Sequence, residues 1–164
     1  MKKLIVTLAF ILCQFSLSMA QSVTRTQHKA AVTTDVVTTG DMTIRKPDYI
    51  CIATDGGKDK LIMDGTKFTL TMGGKQHTTD SRKNPQFATF HEVLLSIING
   101  QPITAGEDMT VTTKDGKSIV NIMPAKKKRQ LFTSFELVVD AKTSAFRTLR
   151  MNGRNGDYTY YEFK

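Results

Sequence analysis

Past its apolar N-terminal stretch, the chain runs in short segments where apolar and polar residues alternate, most of them closed by Gly, Asn, Asp or Pro. Alternation with a period of two gives an extended strand one face for each kind of side chain, and turn residues mark where the chain reverses. Residues 23–37 read as one long strand or two. Gly40 opens a strand over 41–44, and Pro47-Asp48 breaks the chain before Tyr49–Thr54. Gly56-Gly57 leads into 60–63, Asp64-Gly65 is a hairpin signal, and a strand over 67–72 ends at Gly73-Gly74.

The period then changes. Phe87, Phe90, Val93, Leu94, Ile97 and Ile98 recur at helical spacing, behind Asn84-Pro85 and ahead of Gly100 and Pro102. Asn caps the first orphan N–H groups, Pro at the first helical position gives up no helical bond, and Gly closes the last turn. The pattern predicts a helix over 85–99 with a strongly apolar face. Strands resume over 109–113, 118–123, 131–140, 145–151 and 157–163, with turns at Asp115-Gly116 and Asn152-Gly153. In 131–140, Leu131, Phe135, Leu137 and Val139 share one side. About nine strands joined by tight turns predict a mainly β, single-domain fold: one curved antiparallel sheet with the helix across its concave side.

The N-terminus adds an address. Lys2 and Lys3 precede an apolar run, and Ser18-Met19-Ala20 supplies small residues for cleavage after Ala20. Residues 1–20 are expected to be a cleaved signal peptide and 21–164 the mature domain, exported to the periplasm. The run is too short to span a bilayer. Cleavage takes two lysines from a net charge of +8 and removes Cys13, leaving Cys51 as the sole mature cysteine. Cys51 sits in an apolar run and is expected to be buried and inert. The basic cluster Lys126-Lys127-Lys128-Arg129 reads as a solvated hairpin tip. No nucleic-acid motif accompanies the charge, so acidic lipid or protein partners fit it better.

Catalytic signatures are missing. His28, His77 and His91 lack metal-ligand spacing, and His91-Glu92 begins a zinc motif whose second histidine is replaced by Leu95. No cofactor, metal or enzymatic activity is expected. An apolar sheet face beside an apolar helix face can be a filled core or can enclose an apolar ligand.

The run Gly40-Asp41-Met42-Thr43-Ile44-Arg45-Lys46-Pro47-Asp48-Tyr49-Ile50 resembles the signature of the outer-membrane lipoprotein carrier (LolA) family, with a strand, a basic residue and proline, then a second strand. Thr26-Gln27 with Lys29, Leu61 to Gly65, Asn121 to Pro124, Phe135 to Thr143, and Gly156 to Phe163 resemble further family elements in the same order. The resemblance implies an incomplete antiparallel barrel closed by a helical lid. It implies a monomeric periplasmic carrier of acylated lipoproteins or lipids, which takes cargo from an inner-membrane lipoprotein-releasing transporter to an outer-membrane acceptor. At ~0.8 kcal/mol per methylene, a dozen exposed methylenes cost on the order of 10 kcal/mol, so such cargo needs cover.

By position, Lys46 stands where the family has a lid-tethering basic residue, with Arg45 pointing to the opposite face. Ile50 and Ile52 stand where it has large aromatic residues in the cavity. Strand alternation adds Leu61, Met63, Phe68, Leu70, Phe135, Leu137 and Val139 to the acyl-cavity lining; the helix adds Phe87, Phe90, Leu94, Ile97 and Ile98. The family's N-terminal amphipathic helix and C-terminal extension are expected to be absent. The alternatives are a carrier of another hydrophobic ligand, a small exported hydrolase using scattered carboxylates or His91-Glu92, and a module with a filled core.

Overall fold

The structure, a computed structural model, describes residues 19–126 and 130–164. The elements are β1 (Met19–His28), β2 (Val36–Arg45), β3 (Tyr49–Thr54), β4 (Asp59–Asp64), β5 (Lys67–Met72), β6 (Lys75–Asp80), α1 (Pro85–Ile98), β7 (Met109–Lys114), β8 (Lys117–Ile122), β9 (Ser134–Asp140), β10 (Phe146–Asn152) and β11 (Tyr158–Phe163). The eleven strands among the described residues form one antiparallel sheet in the order β6-β5-β4-β3-β2-β1-β11-β10-β9-β8-β7. The first six strands step outward from β1 to one edge. Helix α1 then carries the chain to the opposite edge, and the last five step back to lie beside β1.

This topology forces curvature. Strands β5 and β9 stand seven places apart, which is roughly 34 Å in a flat sheet at ~4.8 Å per strand. Yet Phe68 of β5 and Phe135 of β9 both touch Phe87 of α1, with ring centroids at 5.1 and 5.9 Å. The sheet therefore wraps around the helix, and because β6 and β7 remain unpaired edges it is an incomplete barrel. Gly40 permits the tightest approach. A Cβ there would lie 1.9 Å from the carbonyl oxygen of Ala53 on the neighbouring strand, so only glycine fits the bend.

Three sequence expectations change. Strand β6 was not expected, because its residues are all polar and largely exposed and carry no alternation; it exists because the Gly73-Gly74 turn, with φ of +55° and +75°, folds it back on β5 in register. Strand β2 starts at Val36, ahead of Gly40, so residues 23–37 are two strands joined by a turn. Strand β9 starts at Ser134: Leu131 lies outside it and is exposed, while Phe132 is buried in its stead. The expected signal-peptide cut falls inside β1, whose Met19 and Ala20 pair with Ile44 and Thr43. Residues 1–18, with Cys13, and 127–129 of the basic cluster lie outside the described residues.

Candidate functional site

Antiparallel register aligns the concave face into continuous rows. Ile44, Ile50, Met63 and Phe68 form one; Met42, Ile52, Leu61 and Leu70 form the next. On the other half, Tyr161, Leu149, Leu137 and Val120 are in line, as are Met151, Phe135 and Ile122. Val139 closes the end of β9 and faces Phe146 across a bulge. The sequence-derived residues Ile50, Ile52, Leu61, Met63, Phe68, Leu70, Phe135, Leu137 and Val139 all lie buried on this face. Cys51 does not; alternation sends it to the convex side, where it is half-buried beside Tyr49, whose phenol is held above its usual range by burial and this thiol. Sequence reasoning left out Met42, Phe146, Leu149, Met151, Tyr161 and Phe163, although the alternation in β10 and β11 carried the signal.

Helix α1 lies across the mouth with Phe87, Phe90, Leu94, Ile97 and Ile98 turned onto the sheet. Phe90 stacks on Phe135 at 4.5 Å and 11°. Polar bonds hold the helix at its rim. The Asn84 side chain caps Gln86 N at 3.1 Å and donates to Thr79 Oγ1 of β6 at 3.2 Å, the buried Gln86 amide donates to Phe132 O, and Thr89 Oγ1 donates to Asp108 at 2.7 Å. At the other end, Asn99 Nδ2 donates to Pro47 O at 2.8 Å and to Leu95 O at 2.9 Å. The turn after β2 is thus bonded to the helix through Asn99. The Lys46 side chain in that turn is exposed and makes no bond among the described residues. Arg45 stacks over Tyr49 at 3.9 Å.

With α1 seated, the hollow is nearly full. Its central void is about 10 Å³, lined by residues including Met42, Ile52, Leu61, Phe90, Leu149 and Phe163. That is room for one water at most. A larger opening of about 200 Å³ lies beside the helix N-terminus, between β5, β6 and Leu131. Its apolar wall is Leu61, Phe68, Leu70 and Phe87, which also belong to the core; its polar wall includes His77, Thr79, Asn84 and Gln86.

One end of the concave face is polar. Arg25, on β1, is 1% exposed and pairs with Asp59 of β4 at 2.9 Å and with Gln27 Oε1 at 3.1 Å. Tyr161 lies directly opposite Arg25 across the β1–β11 ladder, and burial pushes its hydroxyl up to about 12 while the Arg25 charge pulls it back. Nothing in the alternation of β1 announced an inward arginine.

Of the hydrolase candidates, His91 Nδ1 faces Ser81 Oγ at 3.2 Å and Glu92 is exposed. No metal-binding group of three His, Cys, Asp or Glu exists among the described residues. No helix among them is long and apolar enough to cross a membrane.

No family model and no curated protein matches this chain. Solved structures similar to it include a LolA superfamily protein from Nitrosomonas europaea, at 7% identity over 90% of this chain and 84% of that one, with a TM-score of 0.34. A DUF1329 family protein from Desulfovibrio piger is similar at 12% identity over 92% and 85%, with a TM-score of 0.40. An outer membrane lipoprotein-sorting protein domain from Vibrio parahaemolyticus is similar at 8% identity over 88% and 82%, with a TM-score of 0.35.

Proposed function

We propose that the chain is an exported, non-catalytic carrier that shelters acyl chains between the curved sheet and helix α1. The observation that carries this reading is the continuity between the buried apolar face and the 200 Å³ opening, through Leu61, Phe68, Leu70 and Phe87. The cover over that face is one helix, joined to its surroundings at the rim by a few polar bonds. Cargo enters at the opening and displaces α1, taking over the apolar contacts that Phe87, Phe90 and Leu94 make in the closed state. The seated helix keeps the hollow dry when empty, as a lid does.

Acylated lipoproteins moving through the periplasm between an inner-membrane transporter and an outer-membrane acceptor are the proposed cargo and route. They are supported by the export signal expected from the N-terminal sequence and by the basic-proline motif.

Thermal unfolding with an acylated peptide tests the reading. A ligand that binds only the folded state at a hundredfold its Kd adds about 2.7 kcal/mol. A rise in Tm together with protection of the α1 apolar face from labelling supports a carrier. A flat response, with no lipid released from the purified protein on organic extraction, overturns it in favour of a module with a filled core.

A further inference from the structure

The concave face is apolar along most of its rows, and its polar end contains a charge almost fully removed from water. Burying a guanidinium is costly unless its donors are satisfied. Arg25 has five N–H donors. Nη1 reaches Asp59 and Nη2 reaches Gln27, but Nε is buried with no partner among the described residues. Two more buried hydroxyls nearby, Thr38 Oγ1 and Thr54 Oγ1, have no partner among the described residues. Register explains why these atoms gather. Thr38 lies directly opposite Arg25, Thr54 lies opposite Asp59, and Gly40, opposite Thr54, lets the backbones of β2 and β3 close up beside them. Tyr161 lies opposite Arg25 on the other side.

This end adjoins the apolar hollow. Leu149, next to Tyr161 across the ladder, and Ile52, two residues before Thr54, both line the central void. A buried cation with one open N–H, beside an apolar wall, is what a long-chain carboxylate requires.

We infer that Arg25 and Tyr161 form a carboxylate-binding site, and that the cargo class includes single-chain fatty acids bound head-inward. The Nε–Nη2 edge of arginine accepts a carboxylate side-on through two parallel N–H···O bonds. At Arg25 that edge carries only the neutral Gln27 amide, which the ligand displaces. Tyr161, the register partner of Arg25, has a hydroxyl proton to donate to the second carboxylate oxygen. Burial keeps that proton in place at physiological pH. Asp59 competes as the resident carboxylate and sets the affinity. The tail then lies along Ile52, Leu61 and Leu149 beneath a displaced α1.

This inference rests on the carrier reading, and the experiment separates the two. Dodecanoate, dodecanol and an acylated peptide are titrated calorimetrically into the full mature chain, its Arg25→Met variant and its Asp59→Asn variant. The expected result is dodecanoate binding at least tenfold tighter than dodecanol, with the preference lost in Arg25→Met. If Arg25→Met does not fold, Asp59→Asn gives the readout: removal of the competing charge tightens dodecanoate severalfold and leaves dodecanol unchanged. Equal affinity for the two ligands overturns the carboxylate site while the carrier reading stands. So does a preference that survives Arg25→Met, or binding of the peptide alone. Failure of all three to bind overturns both.

Discussion

Phe90→Ala tests whether α1 is a fitted part of the closed molecule. Phe90 is fully buried, lines the central void, stacks on Phe135 at 4.5 Å and leans on Phe68 at 5.7 Å. Truncating a core phenylalanine costs about 3–5 kcal/mol, made up of lost transfer energy and the cavity left behind. The aromatic pairs account for ~0.5–1.5 kcal/mol of that beyond area alone. A chain of this size loses roughly 2–4 °C of Tm per kcal/mol, so calorimetry should show a fall of roughly 6–20 °C. The new space merges with the existing void. Saturating dodecanol should therefore restore part of the lost Tm in the variant, and more of it than it adds to the wild type. A fall below ~2 °C would mean that α1 is not packed on the sheet under the assay conditions, and the lid argument would fail with it.

Asn99→Ala removes both bonds from Nδ2, to Pro47 O and Leu95 O. At ~1 kcal/mol each, amide exchange in α1 should speed up by roughly 5–30-fold while the central strands β1 and β11 stay protected. Lys46→Ala, on an exposed side chain without a partner among the described residues, should leave α1 exchange unchanged; matched acceleration in the two variants would support Lys46 as the tether. Asp140 is held down at about 2 by backbone N–H bonds from Thr143 and Lys142 and by Arg147. A carboxyl depressed in the folded state adds stability that is present above its unfolded pKa of ~3.9 and lost as pH falls through the folded value. Asp140→Asn should therefore flatten the acid limb of stability between about pH 4 and pH 2, as read by urea midpoints; an unchanged slope would place the acid sensitivity elsewhere, as at Asp80, which Arg82 also holds low.

Where residues alternate between two environments, the sequence was legible. Ile50 and Ile52 had to share a face with Leu61 and Leu70 once the turns were placed, and a single-residue slip would have turned Cys51 inward. The helix was legible at both ends because Asn84, Pro85 and Gly100 are local signals. Strand β6 was illegible since an exposed edge strand has no buried side to pattern its residues. Arg25 was illegible for a different reason. Its burial depends on Asp59, distant in sequence and three strands away, and that proximity exists only after the sheet has curled. The Asn99–Pro47 bond is likewise tertiary, joining a helix end to a turn that no local pattern relates to it.

The polar end also bears on why the core is built as it is. A core that serves stability alone has little use for the Arg25–Asp59 pair, since replacing a buried ion pair with packed apolar residues is often neutral or stabilising by ~1–4 kcal/mol. The pair can nevertheless be structural, because it ties β1 to β4 across the concave face and so helps fix the curl. The double variant Arg25→Met with Asp59→Leu distinguishes these roles, as it removes both charges and leaves neither unpaired. If the pair serves the ligand, the variant folds with a Tm near or above the wild type, keeps dodecanol binding, and loses the preference for dodecanoate. If it serves the curl, protection at β3 and β4 falls and both ligands are lost together. The outcome turns on a general asymmetry: a mutation that removes one charge measures the cost of orphaning the other, whereas removing both measures what the pair was for.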